Sequence, residues 1–131
     1  MSRVAVKAKV LIVEDEVIAA MALADIVWQW GYLPCEPAVS GGEAISKAGS
    51  EAPDLVLMDV GLSDGMDGIE AARRIYTSFN IPIIFTSGYD EERIIDSLGL
   101  SGPFDFVAKP VDLDDLRCKM EKLLGKKRRG W

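Results

Sequence analysis

The sequence contains no histidine, and this absence removes several kinds of chemistry from consideration. Histidine triads, histidine general bases and most zinc sites all require an imidazole. Carboxylates, hydroxyls and lysines are therefore left to carry any reaction.

Cysteine is also scarce, and long apolar runs are missing. Cys35 and Cys118 lie far apart in no recognisable metal or redox spacing. Both are interpreted as thiols of a reducing compartment. No apolar stretch reaches the length of about 18 residues that a membrane helix needs, and the start of the chain lacks a signal-peptide cleavage site. We therefore expect a cytoplasmic protein that does not span a membrane.

The chain has fewer basic than acidic residues. There are 15 Lys and Arg residues against 21 Asp and Glu residues, a net charge of −6. Such a balance argues against a domain that grips nucleic acid directly. The one basic run lies at residues 126–129. We expect one folded domain over residues 1–125, followed by a solvated basic tail over residues 126–131.

Apolar segments of strand length alternate with segments of helical periodicity along all 131 residues. The predicted strands cover residues 10–13, 32–36, 54–59, 81–86 and 104–108. The predicted helices cover residues 17–30, 40–50, 67–78, 90–98 and 113–124, with Ser40, Asp67 and Asp112 at or just before the starts of the second, third and fifth. Strict alternation predicts a three-layer (βα)5 α/β fold, a doubly wound parallel sheet of the flavodoxin-like order 2-1-3-4-5.

Polar residues stand at the ends of four of the predicted strands. Glu14 and Asp15 follow the first strand, Asp59 ends the third, Thr86 ends the fourth and Lys109 follows the fifth. The carboxyl ends of parallel strands lie at one edge of the sheet, where ligands of such folds bind. We therefore expect these side chains to converge although they are distant in sequence.

Three converging carboxylates repel one another unless a cation neutralises them. Hard oxygen ligands in this number suit Mg²⁺, which keeps several waters and takes one or two carboxylates directly. Asp15 and Asp59 are the best direct ligands, and Glu14 is expected to act through a water. The backbone carbonyl near Gly61 is a further candidate ligand.

The same residues suit phosphoryl transfer. A carboxylate such as that of Asp59 can act as a nucleophile and form an aspartyl phosphate. Lys109 supplies a second positive charge for the phosphoryl oxygens, and Thr86 supplies a hydroxyl donor.

Five sequence blocks, in order, carry a resemblance to a known family. They are LIVEDE, LMDVGL, MDGIEA, IIFTSG and FVAKP, and together they span nearly the whole chain. The chain resembles the receiver domains of two-component response regulators. The resemblance implies that Asp59 accepts a phosphoryl group from a sensor histidine kinase or a histidine phosphotransfer protein. It also implies that Glu14 and Asp15 match the acidic metal pocket, and that Thr86 and Lys109 match the family's hydroxyl residue and lysine.

The resemblance further implies a switch rather than an enzyme, with at most self-phosphotransfer and autodephosphorylation. Phe106 matches the aromatic residue that moves between exposed and buried positions as the hydroxyl residue moves. Phosphorylation is then expected to reshape the face made by the fourth predicted helix, the fifth strand and the fifth helix. That face would bind a downstream protein target. The kinase, the target, the phosphoryl lifetime and any homodimer stay open.

Simpler interpretations exist for several of these residues. Asp59 alone fits a cap, Glu14 and Asp15 fit acids that complement a helix dipole, and Phe106 fits ordinary core packing as well as a gating role. Thr86 fits a β-branched strand residue, and Lys109 a surface charge. A receiver that binds partners independently of phosphorylation is the main alternative function.

Two other classes are disfavoured. A flavodoxin-type cofactor site needs a phosphate-binding loop where residues 14–16 are all acidic, and a haloacid-dehalogenase-type phosphatase needs an Asp at the place of Gly61. The loop over residues 61–66 departs from the Met-Pro pattern common in receivers. A stand-alone receiver is expected rather than a piece of a longer regulator.

Overall fold

The computed structural model describes residues 7–62, 66–88 and 102–128. The elements in this part of the chain are β1 (Lys9–Val13), α1 (Val17–Gln29), β2 (Leu33–Pro34), α2 (Gly41–Glu51), β3 (Leu55–Asp59), α3 (Gly68–Phe79), β4 (Ile83–Ser87), β5 (Phe104–Ala108) and the C-terminal helix (Leu113–Arg128). The helix predicted over residues 90–98 lies outside the described residues. None of the described helices is long and apolar enough to cross a membrane.

All five strands form one parallel sheet in the order β2-β1-β3-β4-β5. This confirms the predicted fold class and strand order. Every residue of the central strands β3 and β4 is buried. Near-continuous apolar runs such as LVLM suit strands that helices cover on both faces.

The strand β2 is shorter than predicted, with two paired residues instead of five. Prolines at positions 34 and 37 remove backbone donors, which confines this segment to the edge of the sheet. The amide of Cys35 still donates to the carbonyl of Val10 at 2.9 Å, so the chain stays alongside β1 beyond the strand itself.

The helix starts follow the predicted caps. Ser40 accepts a hydrogen bond from the amide of Glu43 at 3.1 Å, and Asp67 accepts one from the amide of Glu70 at 2.8 Å. Asp112 accepts from two amides in the first turn of the C-terminal helix. Each cap satisfies donors that have no partner within the helix.

The C-terminal helix extends to Arg128, four residues beyond its predicted end at Leu124. Gly125 therefore does not end it. Lysine and arginine are good helix formers, and cations at the end of a helix complement its dipole. The first part of the expected basic tail thus continues the helix.

The sheet separates two apolar cores. One lies toward α2 and α3 and includes Phe85 and Phe106. The other lies toward α1 and the C-terminal helix and includes Val107 and Leu116. Adjacent residues of β5 thus enter different cores, because side chains alternate along a strand. Burying each large apolar side chain contributes about 1.5–3 kcal/mol, so both cores hold the strand ends in place.

Apolar periodicity predicts the helix α1 but not its buried face. Val17, Ile18, Met21 and Trp28 all contribute to the apolar pattern, yet each is more than half exposed. The fully buried side chains of α1 are small or branched, at Ala20 and Val27.

Candidate functional site

The carboxyl ends of four strands bring the predicted site residues to one edge of the sheet. Asp59 of β3 is in register with Thr86 of β4, and Glu14 directly follows β1, the other neighbour of β3. Lys109 follows β5, where its amide donates to the carbonyl of Ser87 at 2.8 Å. The parallel register therefore assembles this site from four strands.

Three carboxylates form a compact cluster at this edge. Glu14, Asp15 and Asp59 each place a carboxylate oxygen within 4.8 Å of the others. Asp59 is only 6% exposed, and the buried Oε2 of Glu14 has no hydrogen-bond partner among the described residues. A buried oxygen without a partner is costly, and a cation or a cation-bound water would satisfy it. The donor set, three carboxylates and no nitrogen or sulfur, fits a hard cation such as Mg²⁺.

Burial, followed by the hydrogen bond to Asp59 and the negative charge of Asp59, raises the pKa of Glu14 to about 8. Burial alone would also raise the pKa of Asp59. Three interactions outweigh burial: the hydrogen bond from the Glu14 carboxyl, the hydrogen bond from the Gly61 amide and the positive charge of Lys109. The pKa of Asp59 is therefore lowered. Without a metal, the proton of the pair therefore resides on Glu14, and Asp59 is ionised.

Lys109 and the loop after β3 both contact Asp59. The Nζ of Lys109 lies 3.3 Å from Oδ1 of Asp59, and the amide of Gly61 donates to the same oxygen at 2.9 Å. Both contacts favour the charged form of the carboxylate, which is the form that can act as a nucleophile. Residues 63–65 of this loop lie outside the described residues.

Thr86 and Phe106, the two predicted switch residues, are both buried. Thr86 is 6% exposed at the end of β4, and Phe106 is 1% exposed with its ring in the core on the α2 and α3 side. Phe106 is in register with Phe85, one residue before Thr86. This inward placement is what ordinary core packing predicts, and it is also one of the two positions of a gating aromatic residue.

Two glycines that the sequence did not single out pack tightly around the loop after Asp59. A Cβ atom at Gly68 would lie 2.3 Å from the carbonyl oxygen of Asp59. A Cβ atom at Gly41 would lie 2.8 Å from the carbonyl oxygen of Met66. A glycine at the first residue of a helix, directly after the cap Asp67, was the available signal for such a close approach.

The fold and site together define a doubly wound parallel α/β domain with a carboxylate cluster, a lysine and a hydroxyl at the carboxyl edge of its sheet. The sequence model of the response regulator receiver domain matches residues 10–121. The chain belongs to the response regulator receiver domain family.

Relatives of known function agree with this assignment. Sporulation initiation phosphotransferase F of Bacillus subtilis is 34% identical over 117 residues, which cover 88% of this chain and 93% of that protein. Transcriptional regulatory protein PdtaR of Mycobacterium tuberculosis is 34% identical over 112 residues, which cover 86% of this chain and 54% of that protein. The chain thus spans about half the length of the mycobacterial regulator.

Solved structures show the same fold. A CheY-like response regulator receiver domain protein from Methanospirillum hungatei JF-1 has a TM-score of 0.85 and 26% identity, and the match covers 96% of this chain and all of that one. The signal receiver domain of a modulated diguanylate cyclase from Desulfovibrio desulfuricans G20 has a TM-score of 0.82 and 34% identity, covering 95% and 99% of the two chains.

Membership of the family fixes the broad biochemical class. Receiver domains are signalling phosphoacceptor domains of two-component systems rather than typical enzymes, and they bind Mg²⁺ at an acidic pocket. They interact with kinases and with downstream effectors. The predicted membership of the response regulator receiver family is therefore confirmed.

Proposed function

We propose that this chain is a phosphorylation-dependent switch in which Asp59 accepts a phosphoryl group from a phosphohistidine donor. The observation that carries the proposal is the surroundings of Asp59. Its carboxylate is buried, has a lowered pKa, and lies 3.3 Å from the Lys109 ammonium within a cluster of three carboxylates. A buried, ionised carboxylate beside a cation is poised for nucleophilic attack.

In the proposed transfer, an oxygen of Asp59 forms a bond to phosphorus while the bond between phosphorus and the donor's imidazole nitrogen breaks. The electron pair of that bond stays with the imidazole, which takes up a proton. Lys109 and the Thr86 hydroxyl contact the phosphoryl oxygens and stabilise the charge that spreads over them.

Asp15 and Asp59 would hold Mg²⁺ directly, Glu14 would hold it through a water, and the Gly61 carbonyl is the fourth candidate. When bound, the cation neutralises the carboxylates and the incoming phosphate oxygens. Beside the cation the charged form of Glu14 would be favoured, and its proton would pass to solvent. The unpartnered Oε2 of Glu14 supports this assignment.

The proposed switch links Thr86 to Phe106. A phosphoryl group on Asp59 draws the Thr86 hydroxyl toward it and favours the inward position of the Phe106 ring. The face made by the fourth predicted helix, β5 and the C-terminal helix then changes its shape for a downstream protein target. The partners are a sensor histidine kinase or a histidine phosphotransfer protein upstream, and the functional unit is residues 1–125 in the cytoplasm.

Intact-mass spectrometry after incubation with acetyl phosphate and Mg²⁺ tests the proposal. We expect one phosphoryl adduct that hydroxylamine removes, and no adduct when a chelator is added. Asp59→Asn should give no adduct. Asp54→Asn is the matched control, because Asp54 lies just before the opposite end of β3, and it should react like the wild type.

An adduct on the Asp59→Asn protein would place the acceptor elsewhere. No adduct on the wild type, together with no Mg²⁺ binding, would instead support a receiver fold that binds its partners independently of phosphorylation.

A further inference from the structure

The strand β5 is an edge strand of the described sheet, because it pairs only with β4. The amide of Lys109 donates to β4, and backbone groups point alternately to the two sides of a strand. The N–H and C=O groups of Phe106, three residues earlier, therefore face away from β4. Such groups on an open edge need partners other than a neighbouring strand.

Two charged side chains form hydrogen bonds with the outward-facing N–H and C=O groups of Phe106. Asp105 Oδ1 accepts from the Phe106 amide at 2.8 Å, and Lys119 Nζ donates to the Phe106 carbonyl at 2.5 Å. The carboxylate and the ammonium lie 3.8 Å apart, and Lys119 also donates to Asp115 at 3.0 Å. We call this arrangement the Asp105–Lys119 clasp.

The clasp fixes the backbone from which the Phe106 ring projects. Hydrogen bonds to charged groups are roughly twice as strong as those between neutral groups. Lys119 is three-quarters buried, so its bonds are only partly exposed to competing water. Its other end is anchored on the C-terminal helix, whose Leu116 and Met120 are fully buried. The helix therefore holds one edge of β5 while β4 holds the other.

We propose that Lys119 and Asp105 are positioning residues that hold Phe106 with its ring inward, and that they thereby regulate the phosphoryl switch. The second part of this proposal, regulation of the phosphoryl switch, rests on the proposed function. If a phosphoryl group on Asp59 favours the inward ring, the clasp and the phosphoryl group favour the same state. Loss of the clasp then disfavours that state and lowers the fraction of molecules from which Asp59 reacts.

The test compares Lys119→Met with Lys122→Met, a control for loss of a lysine at an exposed position on the same helix. The ring signals of ¹³C-labelled phenylalanine report the state of Phe106, assigned with Phe106→Leu. We expect Lys119→Met to broaden or shift the Phe106 signals and to leave those of Phe85 unchanged. Lys119→Arg, which retains a charged donor, should restore the wild-type signals.

The second readout is the initial rate of adduct formation with acetyl phosphate and Mg²⁺. Lys119→Met should lower it roughly 2- to 10-fold, the factor that corresponds to one net hydrogen bond. Lys122→Met should leave it unchanged. A merely structural lysine would lower stability without moving the Phe106 ring or the rate.

Unchanged Phe106 signals in folded Lys119→Met would overturn the proposal. If that variant does not fold, Asp105→Asn, which keeps the volume and removes the charge, decides the question by the same signals. Absence of any adduct on the wild type would count against the proposed function, and the ring signals would still test the clasp.

Discussion

Single residues set the proton balance of the acidic pocket. The placement of Asp59, Thr86 and Lys109 at one edge of the sheet could be predicted from the sequence, because parallel strands bring their carboxyl ends together. The proton on Glu14 could not be predicted, because it depends on burial and on the contact with Asp59. The inward position of the Phe106 ring could not be predicted either. Alternation along a strand shows which face of the sheet a side chain lies on, but not whether that side chain is buried.

The stability of the metal-free protein should depend on the protonation of Glu14. Its pKa rises from 4.5 to about 8 on folding, so the folded state keeps a proton that the unfolded chain releases. The free energy of unfolding should therefore fall as pH rises from about 4.5 to about 8. The lowered pKa of Asp59 acts in the opposite direction, but only at more acidic pH.

Urea unfolding between about pH 5 and about pH 8 in the presence of a chelator measures this dependence. Glu14→Gln, which cannot ionise, should flatten the curve across that range. An equally steep fall in Glu14→Gln would assign the effect to another group.

Removal of the Lys109 charge should slow phosphorylation without preventing folding. Lys109→Met loses the ammonium 3.3 Å from Asp59, so the rate of adduct formation from acetyl phosphate should fall by about 10²- to 10³-fold. Lys9→Met is the matched control, because Lys9 begins β1 at the opposite edge of the sheet. Equal rates for Lys109→Met and wild type would exclude an electrostatic role for Lys109.

At the scale of elements, helix starts were predicted better than ends. Caps are local, so Ser40 and Asp67 identified α2 and α3 correctly. The predicted end of the C-terminal helix at Leu124 was wrong, because in the structure the helix continues through Gly125 to Arg128. The buried face of α1 was also not predictable, since tertiary packing decides which part of an apolar helix is covered.

The start of α3 should tolerate no side chain at its first residue. Gly68→Ala would place a Cβ atom 2.3 Å from the carbonyl oxygen of Asp59, so it should lower the free energy of unfolding by about 1–3 kcal/mol or more. Gly42→Ala is the matched control, because a Cβ atom there meets nothing within 4 Å in the first turn of α2.

Gly42→Ala should instead raise stability by about 0.5–1 kcal/mol, since alanine loses less backbone entropy in a helix. Chemical denaturation of both variants measures the difference. A Gly68→Ala protein as stable as Gly42→Ala would contradict the close packing of α3 on the acceptor strand.

For the molecule as a whole, metal binding should add to the stability of the fold. The carboxylate cluster exists only in the folded chain, so Mg²⁺ bound there shifts the unfolding equilibrium by mass action. At a Mg²⁺ concentration 100 times the dissociation constant, the gain is about 2.7 kcal/mol. Thermal unfolding with and without Mg²⁺ measures it, and Asp15→Asn should abolish most of the increase. A Tm that is insensitive to Mg²⁺ in the wild type would argue against the metal site.

Residues from both ends of the chain form the pocket at the carboxyl edge of the sheet. Glu14 follows the first strand and Lys109 follows the last, so every strand but β2 contributes a side chain to the pocket. During synthesis on the ribosome, a nascent chain that does not yet contain Lys109 has the Asp59 carboxylate without the ammonium beside it. Under the proposed function, an unfinished chain therefore cannot yet accept a phosphoryl group, and the ability to do so arises only when the whole domain has been synthesised.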